Sequence, residues 1–265
     1  MPVSLLAWPG AIAIGVSLGL LGSGGSIITV PVLVYLLGQD EKVAIAGSLF
    51  VVGSIALAGS LQYIRAGLID WRNVLVFGAP GMAGTYLGAL IAAFVSGVLQ
   101  LGLFALVMLL ASYLMLRPVN LTDADRKPRD TWKIALDGLA VGVITGLVGV
   151  GGGFLIVPAL VLLGGVAIHR AVATSLVIIA LKSYSGFYKY IDVLDEQNLQ
   201  LDWPTLLFVT GLGIAGSFFG AHIARRMPQQ KLKKGFGYFL IVMGIYILVR
   251  TAPEVLQIFA AIQGN

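Results

Sequence analysis

The chain has 265 residues, of which 58% are hydrophobic and only 11% charged, and its mean hydropathy is +0.96. A soluble domain carries about a quarter charged residues, so a water-soluble globular protein is excluded; a β-barrel would show short alternating segments rather than long apolar runs. The net charge of +5 sits in short loops, where it orients a membrane protein rather than binding nucleic acid, and the absence of cysteine excludes disulfides, thiolate metal sites and a redox pair.

No Lys or Arg precedes the first apolar run, so a cleaved signal is not expected there. That run, 10–38, is broken by glycines: Gly19 to Gly38 reads GLLGSGGSIITVPVLVYLLG. Apolar segments follow at 43–65, 72–95 and 98–117, each near the roughly 20 residues that cross a bilayer. A basic stretch, 118–133, leads to a second set at 134–165, 170–191, 203–225 and 235–251. Its first member is broken in the same way, and Gly146 to Gly165 reads GLVGVGGGFLIVPALVLLGG. The expectation is an all-α polytopic membrane protein with two homologous halves, 1–117 and 134–265, around the linker 118–133.

The duplication runs past the glycine motifs. The two copies align without a gap at an offset of 127. Ala44, Ala46, Ser48 and Leu49 match Ala171, Ala173, Ser175 and Leu176, and Gly59 and Tyr63 match Gly186 and Tyr190. After an insertion near 193–197 the offset becomes 132, and Asp70-Trp71, Gly81, Gly84 and Gly88 match Asp202-Trp203, Gly213, Gly216 and Gly220. The Asp-Trp pairs read as helix caps with interfacial tryptophans. Gly84/Gly88 and Gly216/Gly220 read as GxxxG packing pairs.

Charge decides between two topologies. If all eight segments cross, one face holds nine basic residues and the other seven, which gives almost no bias. Suppose instead that 10–38 and 134–165 each enter and leave by one face. Arms of about 12 residues span about 18 Å, past the middle of a hydrocarbon core of about 30 Å but not across it. Each half then has three true spans and the halves are inverted. Thirteen basic residues, from Arg65 and Arg72 through the linker to Lys234, now share one face; only Lys42, Lys189 and Arg250 lie on the other, beside Asp40, Glu41, Asp192, Asp195 and Glu196. Since cytoplasmic loops carry the excess of Lys and Arg, the linker is expected in the cytoplasm and both termini outside.

Irregular backbone at membrane depth is tolerated only when buried in protein or lining a cavity, and broken segments in corresponding places of two halves point to a transporter's binding site. The two tips are expected to meet near the midplane, bringing together Ser23, Gly24, Gly25 and Ser26 with Gly151, Gly152 and Gly153. Helix N-termini there offer N–H groups to an anion. The same glycines also suit close helix packing. Ser48 and Ser175 lie a turn or two into the second spans and face the tips in this arrangement, or bond their own backbone. Lys182 is the one cation near the middle of a span, where ionisable residues are expensive and face a cavity or partner. Its counterpart is Ile55. It is expected to balance an anionic substrate or to take part in proton coupling, with Ser183, Tyr184 and Tyr188 beside it.

At these residues the chain resembles the TauE/SafE family of sulfite-exporter-like membrane proteins. The resemblance rests on the paired Gly-x-Gly-Gly…Pro motifs, the Ala-Thr-Ser-Leu following the second, and the four-plus-four hydropathy pattern. It implies transport of sulfite or a related organosulfur anion across the bacterial inner membrane. The expected function is a secondary transporter, an exporter coupled to protons; the alternative is an uncoupled anion channel or a transporter of another small organic anion. No Walker-type loop, metal-ligand cluster, Ser/His/Asp set or HExxH occurs, so neither ATP hydrolysis, a cofactor nor an enzyme activity is expected. Lipid, the small anion and protons are the partners this implies; oligomeric state stays open.

Overall fold

A computed structural model describes residues 7–22, 24–116, 130–148 and 153–263. The linker motif 117–129, Ser23 and the second glycine cluster 149–152 lie outside the described residues. The elements are α1 (Ala7–Leu21), α2 (Gly24–Pro31), α3 (Glu41–Arg65), α4 (Trp71–Asn73), α5 (Ala79–Ala92), α6 (Gly97–Leu116), α7 (Thr131–Val148), α8 (Gly153–Pro158), α9 (Ile168–Glu196), α10 (Trp203–Arg226) and α11 (Gln229–Gln263). Among the described residues every element is helical, and seven helices are long and apolar enough to cross a membrane. Two shorter apolar helices, Trp8–Leu21 and Gly25–Leu36, are the arms of the first broken segment.

The count of seven exceeds the six complete spans expected from sequence because α7 qualifies. It begins at Thr131, whereas the apolar run begins at 134, and its exposed Thr131, Trp132 and Lys133 extend it to 18 residues. At 1.5 Å per residue that is about 27 Å.

Local signals explain where the helices stop. The side chains of Asp40, Asp70 and Asp202 accept from the backbone N–H groups of Lys42, Asn73 and Thr205, which satisfies donors otherwise left free at a helix start. Pro31 and Pro158 lack the N–H that continues an α-helical ladder. Directly after each, the chain widens into a π-helical turn, Val32–Leu36 and Ala159–Leu163. A third π turn, Val74–Gly78, joins α4 to α5. It runs up to Pro80, whose ring excludes an α-helical bond to the Val76 carbonyl, and it has no counterpart in the second half, where position 212 is leucine and α10 is unbroken.

At Gly22 φ is +71°, a conformation that costs a residue with Cβ about 1–2 kcal/mol, and the turn begins there. The two arms then lie side by side in opposite directions. A Cβ on Gly25 would lie 2.5 Å from that of Leu18, and one on Gly10 would lie 3.0 Å from Cγ1 of Val32.

Glycine faces hold the halves together, and the contacts recur with the halves exchanged. A Cβ on Gly84 of α5 would stand 2.3 Å from the carbonyl oxygen of Leu139 on α7. On Gly216, its counterpart, it would stand 2.9 Å from the carbonyl oxygen of Ile12 on α1. Gly88 meets Val143, and Gly220 meets Val16 in the same manner. In return Gly146 abuts Thr85, and Gly19 abuts Ser217. Lipid tails are as apolar as leucine, so packing of this closeness, with Cα–H groups against carbonyls, is what drives helix association in a bilayer.

The centre is the crossing of α3 and α9, the most buried of the long helices. Gly53 approaches Ser183, Gly59 approaches Leu176, and Gly186 approaches Leu49, so the two run antiparallel. Tyr63 donates to the Gly19 carbonyl at 3.4 Å, and its counterpart Tyr190 donates to that of Gly146 at 3.3 Å.

Candidate functional site

Ser175 of α9 donates a hydrogen bond to the Gly22 carbonyl at 3.0 Å, and a Cβ on Gly22 would lie 2.8 Å from the Val172 Cα. The first break is thus buried against the second half, as irregular backbone at membrane depth requires. Gly25 is consumed by packing on Leu18, and Thr29 donates to its carbonyl at 2.6 Å. Ser26 and Gly153 are buried, and Gly24 begins α2. Ser48 donates to Ile45 of its own helix at 2.8 Å.

The register of α3 on α9 separates the two serines. Gly186 stands opposite Leu49, so Ser48 is level with a position about 12 residues beyond Ser175, or about 18 Å along the bundle. Ser23, Gly151 and Gly152 lie outside the described residues.

Lys182 lies between those two levels. It is two turns beyond Ser175, on the same face of α9 and about 10 Å further along it. Its exposure is 0%, and among the described residues Nζ has no hydrogen-bond partner. Its stem crosses Gly81, where a Cβ would lie 3.1 Å from Lys182 Cδ and 3.2 Å from the Gly138 carbonyl oxygen. Its Nζ stands 5.9 Å from the centroid of the Phe77 ring, within the range of a cation–π contact. The next residue, Ser183, is also fully buried, and its hydroxyl has no partner among the described residues.

Tyr184 does not join this group. It leaves α9 on the side opposite Lys182, is 38% exposed, and its hydroxyl pairs with Ser54 at 2.9 Å. Tyr188 is 68% exposed.

Two neighbours of Lys182 are not marked as such by the sequence: Phe77, inside the π turn, and Gly81, a repeat-matched glycine that makes room for the stem. Comparing the halves gives a signal for Phe77, because its counterpart at the offset of 132 is Val209. Where Lys182 crosses Gly81, Ile55 crosses Gly213. Lysine, aromatic ring and π turn are therefore three departures from the repeat gathered at one spot. Backbone widenings of this kind occur often at functional sites.

A buried amine with no hydrogen-bond partner among the described residues, at the centre of a many-helix membrane bundle and beside a broken segment, is the kind of site a membrane transporter carries. The family described as "Sulfite exporter TauE/SafE" matches residues 7–247, and the chain belongs to it. It is 32% identical to a "Probable membrane transporter protein" of Xylella fastidiosa (strain 9a5c), over 90% of this chain and 92% of the relative. It is 28% identical to a protein of the same description from Haemophilus influenzae, over 91% and 96%. A relative from Methanocaldococcus jannaschii is 25% identical over 92% and 97%. All three relatives are described as probable membrane transporters. No solved structure matches the chain.

Proposed function

We propose that this transporter is a secondary carrier, an exporter coupled to protons, for a small sulfur-containing anion such as sulfite or an organosulfonate. The observation that carries this is Lys182, a fully buried amine with no hydrogen-bond partner among the described residues. An unpaired ion in a low-dielectric interior is costly, and an anionic substrate is the partner that removes the cost. In this reading the substrate sits beside Lys182, at a level between Ser175 and Ser48, and the glycine clusters Ser23–Ser26 and Gly151–Gly153 are the segments proposed to face its path. The family's description supplies the sulfur chemistry.

The proposed frame is a pair of inverted repeats, 1–117 and 134–265, each a re-entrant hairpin plus three spans, joined by the linker 118–133 in the cytoplasm of a bacterial inner membrane. Two features support it. The equivalent helices α3 and α9 run antiparallel, and a two-fold that reverses a membrane span lies in the membrane plane. The arms α1 and α2 also double back on each other, so the first segment contributes no net crossing. External labelling of a tag between Asp192 and Glu196 tests the frame; protection of that loop from outside refutes it.

The substrate test is uptake and efflux of labelled sulfite by vesicles containing the protein or Lys182→Met. The variant is expected to insert normally and to lose transport, and normal transport refutes the role. Accumulation driven by an imposed proton gradient separates this carrier from an uncoupled channel.

A further inference from the structure

We infer that the groove beside the α10–α11 turn binds an anionic phospholipid, one acyl chain lying along α1 and the headgroup phosphate resting on a basic rim. The groove has a volume of about 390 Å³. One wall is Ala13, Val16 and Leu20 of α1, and the other is Leu232, Gly235 and Phe239 of α11. Its only hydroxyl, that of Ser17, already donates to the Ile14 carbonyl at 3.0 Å. Such walls offer a soluble anion no donor, and an acyl chain suits them.

The rim is of the opposite character. Lys231 lines the groove, and it is exposed together with Arg226 and Lys234. Arg225 and Lys233 bring the basic residues of 225–234 to five, while no Asp or Glu occurs between Trp203 and Pro253. No carboxylate lies on α10, and the nearest one on α11, Glu254, is 20 residues beyond Lys234. Apolar groove and basic rim together match both parts of one ligand, the tail and the phosphate. Basic pockets between membrane helices recognise anionic headgroups in this way, and lysine stems keep their methylenes on apolar surface while the ammonium reaches the interface. The lipid lies along the arm that ends at Gly22, so it braces the broken segment from outside. This inference does not depend on the identity of the transported anion.

The chain has no cysteine, so Ala13→Cys in the full-length protein gives one labelling site on the groove wall. The labelled protein is titrated with brominated phosphatidylglycerol and with brominated phosphatidylcholine. Phosphatidylglycerol is expected to quench at a lower mole fraction. Each Lys or Arg near an anionic surface contributes about fivefold, so R226Q/K231Q/K234Q is expected to remove a preference of at least about tenfold. Equal quenching by the two lipids, a preference that survives the triple replacement, or displacement by free inorganic phosphate overturns the assignment. A second variant leaves the rim intact. Gly235→Leu fills the groove, and a Cβ there meets nothing within 4 Å. It is expected to abolish the phosphatidylglycerol-dependent quenching, and unchanged quenching overturns the proposal.

Discussion

Lys42 and His169 stand 127 positions apart and perform the same task. Nζ of Lys42 donates to the carbonyls of Ala92 and Val95, where α5 ends. Nε2 of His169 lies 3.2 Å from the carbonyl of Ala224, the counterpart of Ala92 near the end of α10. Each closes the end of α5 or α10 with a side chain from the start of α3 or α9, where free carbonyls and the helix dipole favour a donor of positive character. Lys42→Met is therefore expected to destabilise the protein by about 2 kcal/mol, the range for hydrogen bonds to a charged group. Thermal unfolding of purified protein checks this, and an unchanged midpoint counts against the clamp.

The glycine faces give a graded test. Gly84→Ala and Gly216→Ala place a methyl against a backbone carbonyl of the facing helix, which is expected to cost about 1–3 kcal/mol each by overpacking. Gly211→Ala on α10 is the control, since a Cβ there meets nothing within 4 Å. It is expected to be neutral or slightly stabilising, because alanine is the better helix former. If all three behave alike, glycine packing does not hold the halves together.

Phe77→Leu removes the ring beneath the Lys182 ammonium but keeps an apolar side chain. A cation–π contact of this kind is worth about 0.5–2 kcal/mol, so a several-fold loss in transport efficiency is expected with little loss of protein. Val209→Leu at the counterpart position serves as comparison. Equal effects of the two substitutions would remove Phe77 from the site.

The turn at Gly22 joins strain to contact. Gly22→Ala meets both the positive φ and the Val172 backbone, so a loss of folded protein is expected. Ser175→Ala removes one hydroxyl and is expected to cost about 1 kcal/mol. A Gly22→Ala variant as stable as Ser175→Ala would mean that the break is not pinned to α9.

Much of this was legible in the sequence, because the information was local or repeated. Lys182 needs only its position in an apolar run to be conspicuous, and the Asp70 and Asp202 caps need only the residues that follow them. The partners of the glycine faces were not legible. A GxxxG pair announces a small face without naming the helix that fills it, and here the partner lies in the other half. The separation of Ser48 from Ser175 follows from the register of α3 on α9, which no local pattern encodes. All three π turns border a proline visible in the sequence: those at 32–36 and 159–163 follow Pro31 and Pro158, and the one at 74–78 precedes Pro80.

The exchange of glycine faces has a consequence for biosynthesis. Gly15 and Gly19 of α1 find their partners only when Gly213 and Ser217 of α10 have left the ribosome, so α1 is seated only after most of the chain has been made. Until then the nascent first half sits in the bilayer with its close-packing faces open to lipid. The two halves, expressed as separate polypeptides, are expected to survive proteolysis only when made together.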